Sequence, residues 1–448
     1  EINLALKQFS LGNKENAYKK LKKIFNKNKN DHQLRFNLAV IQQSLNLNQE
    51  AKKNYKFLID INFNYKALVN LYLLYINEGK FLDALFYLDK LIDSNNDSDS
   101  IIKDKAFVLY KLNQFNESIN ICEKFLKKRK DINFFNILGL NYLELKQYET
   151  AKEFFEQGLA INKNSAIILN SLGRLYHETR DSKNAEIFFI KAYKIENDSY
   201  EIINNLAGFY REETEYKKSI ELYEKALKIN PQNPSIVNNL AKVYFDIEDL
   251  EMAEKYCLRA YKMDSNDGNI TKILSLIYLR KQNYKLGWSF FDGRLNLSDF
   301  IEKNSTIKSI REKLLKEREK LNKNSNILVL REQGVGDEIL YGTMYNDLFK
   351  NFNNVTIECD PRLKNIFCNS FPKEKNRFVN IGLVSKDEKK LEEYDTIIYA
   401  GSLGKIFRNR IEDFDDGCYL SVDNEIFKKT KKELEDLDNK INIGISWK

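Results

Sequence analysis

Ile327-Leu-Val-Leu-Arg-Glu-Gln-Gly-Val-Gly-Asp-Glu-Ile-Leu340 puts a short branched apolar run, a turn with two glycines and an acidic pair opening a helical pattern into one stretch. That order reads as strand, loop and helix of a parallel α/β sheet. Small molecules bind outside the carboxyl ends of such strands, so a carboxylate in the first loop is placed for chemistry. Asp337 is the first candidate. Further candidate strands follow at 355–359, 377–381, 396–400 and 441–447, with helical patterns at 338–350, 361–370 and 425–437. The alternation implies a parallel, Rossmann-like sheet. It is not a dinucleotide site, because Gly334-x-Gly336 lacks a third glycine, Ile339 standing there, and Asp337-Glu338 would repel a pyrophosphate. A Walker-type lysine is also missing.

Working backward, the chain changes character. Small residues recur at Ala17, Ala51, Ala84, Ser118, Ala151, Ala185, Ser219, Ala253 and Gly287, at spacings of 33 or 34, each followed four positions later by a large side chain or a cysteine. Twelve residues before them lies a second slim position, including Ala39, Ala106, Gly139, Gly173, Ala207 and Ala241, with Tyr142, Tyr176, Tyr210 and Tyr244 three further on. Pro231 stands where a second helix should stop. That period is the tetratricopeptide repeat, a pair of antiparallel helices that closes where small side chains meet. Eight complete repeats follow a first one that lacks its beginning. Such a solenoid presents a concave surface for a protein or peptide. Asn37, Asn70, Asn205 and Asn239 occupy one register position of the first helices, and a row of amides can pair with any extended backbone. Asp104, Ile137, Ser171 and Ile273 interrupt the row, and Asn is common in this chain, so composition is the competing explanation.

The domains expected are therefore a repeat solenoid at 1–294, a charged connector at 295–326 with an amphipathic helix near 310–321, and an α/β region at 327–440. The last repeat departs from pattern at Gly287-Trp-Ser-Phe-Phe-Asp-Gly-Arg294, which suggests a helix pinned against another domain, or an ordinary capping repeat. In a chain of 448 residues, 31% charged residues and only four prolines suit this helical assignment. The net charge of +7 arises from 72 basic and 65 acidic residues without a block of one sign, which argues against a nucleic-acid partner. Two histidines and five scattered cysteines argue against a metal site and fit a cytoplasmic protein. No apolar run reaches the about 18 residues of a membrane span. The first residue is Glu1 rather than Met, which reads as a fragment cut at the front.

Asp337 at the mouth of a helix suits either a general base or a helix cap. Glu332-Gln-Gly-Val-Gly-Asp-Glu338, Glu358-Cys-Asp-Pro-Arg-Leu363, Ser370-Phe-Pro372, Gly401-Ser-Leu-Gly404 and Ile443-Gly-Ile-Ser-Trp-Lys448, with the junction at 287–294, resemble bacterial tetratricopeptide-repeat proteins that have a C-terminal glycosyltransferase module. The asparagine register likewise resembles that of eukaryotic O-linked N-acetylglucosamine transferase. The module is similar to heptosyltransferases of the two-halved GT-B type. The resemblance implies that Asp337 activates an acceptor hydroxyl, that Glu332, Gln333, Gly334, Gly336, Gly401, Ser402 and Leu403 line the acceptor cleft, and that a nucleotide-sugar is the co-substrate without a metal. That family has Pro where Gly404 stands, which leaves the shape of this loop open. It also implies that 441–448 begins the second, donor-binding half, with Lys448 near a donor phosphate, and that the fragment alone does not turn over. The rival is a non-catalytic scaffold whose repeats bind proteins.

Overall fold

The computed structural model describes residues 1–62, 64–94, 98–296, 321–332, 334–415, 417–421 and 423–435. The connector stretch 310–320, Gln333, the candidate strand 441–447 and Lys448 lie outside them. The chain divides into two compact units, 1–213 and 214–448.

Unit 1 is a succession of antiparallel helix pairs. The first is short, Ile2–Ser10 with Lys14–Lys27, and Ile132–Glu144 with Tyr148–Ile161 is representative of the rest. First helices open on a capping side chain: Asp31 accepts from the Leu34 N–H at 2.9 Å, and Asn64 from Ala67 at 3.0 Å. They close on a residue in left-handed conformation, at Gly12, Asn46, Gly79, Asn113, Lys146 and Arg180. The N–H of the following residue reaches five positions back, as from Gln147 to the Tyr142 carbonyl, which is the Schellman stop. Only two of those six positions are glycine.

The small residues of the second helices, Ala17 through Ala185, are fully buried. Their slim partners on the first helices approach them, as the Ala106 carbonyl does Ser118, and also serve the next turn. They make room for the large residue one turn on: a Cβ at Gly139 would stand 2.4 Å from the Phe155 ring, and one at Gly173 2.6 Å from Phe189. The tyrosines three residues later stack on the other side, Tyr142 on Phe154 at 5.4 Å and Tyr176 on Phe188 at 5.3 Å. Where Ser118 replaces alanine, its hydroxyl donates to the Ala106 carbonyl at 2.8 Å and is satisfied.

Unit 2 begins with the same architecture, Tyr216–Ile229, Pro234–Asp246, Leu250–Met263, Gly268–Arg280 and Tyr284–Phe291, then a 3-10 turn at Asp292–Asn296. A four-stranded sheet follows: β1 (Asn326–Leu330), β2 (Asn354–Cys359), β3 (Phe378–Asn380) and β4 (Thr396–Tyr399), in the order β3-β2-β1-β4. Every neighbouring pair is parallel, with Ile327 opposite Val355 on one side and Thr396 on the other. Alternation on β1 serves two layers. Ile327 and Val329 join Tyr345, Leu348 and Phe367, whereas Leu328 and Leu330 join Ile397, Tyr399 and Leu391.

The helix expected at 338–350 is two helices, Val335–Gly342 and Tyr345–Asn351. The break follows from side chains that arrive from far along the chain. The Arg408 guanidinium donates to the Thr343 carbonyl at 2.9 Å, and the Tyr419 hydroxyl lies 2.6 Å from where a Gly342 Cβ would stand. The helix also starts three residues earlier than its pattern, which makes Gly334 rather than Asp337 the N-cap. Pro361–Ser370 forms as its sequence suggests, Pro at the first position after the Asp360 cap.

The ring contact at Gly139 makes a stability comparison possible. Gly139→Ala should lower stability by about 1–3 kcal/mol through overpacking. Gly336→Ala, whose Cβ meets nothing within 4 Å, should not. Both gain helix propensity, so their difference in thermal midpoint isolates the packing effect. Equal midpoints would remove the close approach to Phe155 as the reason for glycine.

Candidate functional site

The carboxyl ends of β1, β2 and β4 share one edge of the sheet, and consecutive residues after β1 point their charges to different neighbours. The strand order reverses between β1 and β4, the position where open parallel sheets leave a crevice. An arginine from the last repeat reaches that position. Arg294, 3% exposed, forms a two-pronged pair with Glu332, Nε to Oε2 at 2.7 Å and Nη2 to Oε1 at 2.6 Å. The Gly401 N–H donates to the same carboxylate, and Arg294 Nη2 donates to the Ser402 hydroxyl at 3.0 Å. Ser402 in turn donates to Asp292 at 2.6 Å. Gly401 is glycine because a Cβ would stand 2.6 Å from Glu332 Oε1.

Beside this cluster the Trp288 indole lies flat against Gly404, 2.4 Å from a Cβ position there. Glycine at 404 is the complement of that tryptophan, which gives the loop after β4 its shape in this chain. The helix Tyr284–Phe291 is therefore packed on the α/β part of its unit and is not a solvent-facing cap.

The second cluster gathers around Arg331. Its Nε lies 2.5 Å from Glu338, and its Nη1 donates to Asp360 at 3.2 Å. Glu338 is fully buried and also accepts from the Asp360 N–H at 3.0 Å. Burial pushes the Glu338 carboxyl above its ordinary value, while the Asp360 N–H and Arg331 pull it back. Asp360 goes the other way. Hydrogen bonds from the Arg362 side chain and backbone hold its carboxyl well below the usual range, with Arg331 adding to them. Glu358 is buried as well, accepting from Val384 and Ser385 N–H groups at 2.8 Å each.

Between the clusters lies the turn Gly334-Val-Gly-Asp337. Gly334 and Gly336 are exposed, and Asp337 is half-buried with Oδ2 accepting from the Gly334 N–H at 3.0 Å. Glu332, Gly401, Ser402 and Leu403 lie together in a joint where Glu332, Gly401 and Leu403 are buried, Leu403 fully. Among the described residues no group of three or more His, Cys, Asp or Glu side chains is placed to hold a metal.

The four register asparagines are half-buried, and each has a side-chain partner. In unit 1, Asn37 accepts from Gln33 at 3.1 Å, Asn70 donates to the Tyr55 hydroxyl at 3.2 Å and Asn205 to Asn170 at 3.2 Å. In unit 2, Asn239 accepts from Lys242 at 3.2 Å. Two repeat-to-repeat links join a register position to the residue before it in the preceding repeat: Asn205 to Asn170, and Ser171 to the buried Asn136 at 2.7 Å. An Asn pattern read one residue earlier, at Asn136, Asn170 and Asn204, was the available signal. Glu338 and Asp360 were also overlooked as charge partners of Arg331.

Comparison with known proteins bears on the repeats. Residues 132–165, 166–199 and 234–267 match the tetratricopeptide repeat model, and 209–247 match a second model described as TPR repeat. The chain contains tetratricopeptide repeats. Human tetratricopeptide repeat protein 13 is 30% identical over 86 residues, 19% of this chain and 10% of that protein, so the chain spans about a tenth of the relative's length. Among solved structures, PilF of Pseudomonas aeruginosa is similar at 20% identity and TM-score 0.34, covering 40% of this chain and 82% of that one. A thermophilic TPR protein of Thermus thermophilus matches at 18% identity and TM-score 0.38, covering 41% and 100%. The APC/C hetero-tetramer Cut9-Hcn1 matches at 13% identity and TM-score 0.44, covering 64% and 56%. Superpositions this loose carry no argument about the α/β part. No helix among the described residues is long and apolar enough to cross a membrane.

The two titrating carboxyls give opposite pH signs. Glu338, raised in the folded state, favours folding less as pH rises above its ordinary 4.5. Asp360, depressed, contributes stability that is present above its ordinary 3.8 and lost as pH falls below it. Asp360→Asn retains a capping acceptor but removes the charge. Its thermal midpoint should be lower than wild type at neutral pH and fall less steeply below pH 3.8. Parallel midpoint curves from about pH 2 to about pH 7 would contradict that assignment.

Proposed function

We propose that the repeats capture a protein acceptor and that the α/β part is the acceptor half of a GT-B glycosyltransferase. The observation that carries this reading is Asp337, partly exposed at the carboxyl edge of β1 in a parallel sheet of order β3-β2-β1-β4. That order is compatible with the first four strands of a doubly wound sheet, in which the loop after the first strand is where ligand chemistry is placed. The resemblance to heptosyltransferase-like modules supports the same residue.

In this reading the Asp337 carboxylate takes the proton from an acceptor hydroxyl as its oxygen attacks the anomeric carbon. The bond from that carbon to the nucleotide diphosphate breaks, and the leaving group keeps the electron pair. Gly334 and Gly336, exposed beside Asp337, leave room for an acceptor chain to approach the backbone. A nucleotide-sugar donor implies a cytoplasmic reaction, and the resemblance implies a bacterial chain.

A scaffold without catalysis is the second reading, favoured by two contacts. Asp337 is occupied as a cap on Gly334, and Glu332 is wholly engaged by Arg294. The repeats then bind proteins and the α/β part is a docking platform.

Asp337→Asn separates the two, since its amide oxygen still accepts from Gly334 and the helix start survives. In the full-length protein, assayed for transfer from a panel of nucleotide-sugars, the variant should lose roughly 100-fold or more in kcat. An unchanged rate would remove Asp337 from the chemistry, and no turnover by the wild type with any donor would leave the scaffold.

A further inference from the structure

We propose that Arg294 is a positioning residue through which the last tetratricopeptide repeat holds the acceptor-side loops of the sheet in place. The proposal rests on the glycosyl-transfer reading for its functional consequence, but its physical content stands on the joint alone.

Beyond the carboxyl edge of the sheet, the loops after β1 and β4 are joined through one guanidinium. Arg294 binds Glu332 of the first loop through Nε and Nη2, at 2.7 and 2.6 Å, and Ser402 of the second through Nη2 at 3.0 Å. Glu332 closes the ring by accepting from the Gly401 N–H. The arginine is itself aimed from the repeat side. Its Nη1 donates to the Phe291 carbonyl at 3.0 Å and to Asp292 at 3.2 Å, and its plane lies over the Phe291 ring at 4.2 Å. Gly293 permits the turn, because a Cβ there would collide with Thr271 of the helix Gly268–Arg280 at 1.9 Å. Glu332 and Gly334, whose N–H caps onto Asp337, lie two positions apart. The pair therefore anchors the chain two residues before the helix start that Asp337 caps. Lysine at 294 cannot reproduce the contact, since one ammonium cannot serve two carboxylate oxygens and a hydroxyl in a fixed plane.

The test is amide hydrogen exchange on the full-length protein, comparing wild type with Arg294→Lys, Arg294→Met and the paired Arg294→Met/Glu332→Met, which leaves no buried charge unmatched. In all three variants exchange at 334–340 and 401–405 should accelerate by at least roughly ten-fold more than it does in β2 and in the helix Gly268–Arg280. Transfer assays on the paired variant should show a fall in kcat with little change in donor KM. Unchanged exchange in both loops would overturn the proposal, as would a uniform rise across residues 214–435, which marks a purely structural pair. If the wild type transfers no sugar, the exchange result still decides whether Arg294 holds the loops, and only the catalytic reading falls.

Discussion

The pair between Arg294 and Glu332 is the constraint on which the second unit depends. Two charges are taken out of water together, with the guanidinium 3% exposed and the carboxylate fully covered on its side chain. Such a pair is a weak net stabiliser, but removing one member leaves the other stranded at a cost of about 3–5 kcal/mol. The arrangement therefore specifies more than it stabilises. It allows the helix Tyr284–Phe291 one seat, with Trp288 on Gly404 and Arg294 between the loops after β1 and β4. A hydrophobic joint would tolerate sliding, whereas a two-pronged pair with a hydroxyl and a backbone N–H attached does not.

The repeats obey a different rule. Their helices are set by ring-to-backbone approach, Gly139 on Phe155 and Gly173 on Phe189, and by caps that satisfy the free N–H and C=O groups at each end. Polar residues admitted to this interior, Ser118, Asn136 and Ser171, are partnered. Asn141 shows how narrow the tolerance is: its amide donates to Ser118 and to the Ile137 carbonyl, while its buried oxygen has no hydrogen-bond partner among the described residues.

What the chain states locally was readable from it. Repeat spacing located the helix pairs, and short branched runs located the four described strands and their parallel arrangement. The misreadings come from contacts that arrive from far along the chain. Nothing near Glu332 announces an arginine 38 residues earlier, whose guanidinium holds its carboxylate in a buried joint. Nothing between Glu338 and Lys350 announces Arg408 and Tyr419, which divide the helix. Asp337 was read as base or N-cap, and the structure gives it the third helical position because Gly334 starts the helix. Amphipathic patterns report which face is covered and leave unstated which distant residue covers it.

In the proposed reading, repeats that bind protein and a sheet whose first loop they hold make one device, provided that the last repeat and the sheet unfold together. Hydrogen exchange of the full-length protein across low urea concentrations measures this directly. Amides of Ile277 in the repeat helix Gly268–Arg280 and of Leu328 and Val329 in β1 should converge on one exchange isotherm, with one free energy and one urea dependence. If β1 stayed protected after the repeat helix had opened, the joint would be a contact between independent parts, and the central claim would fail.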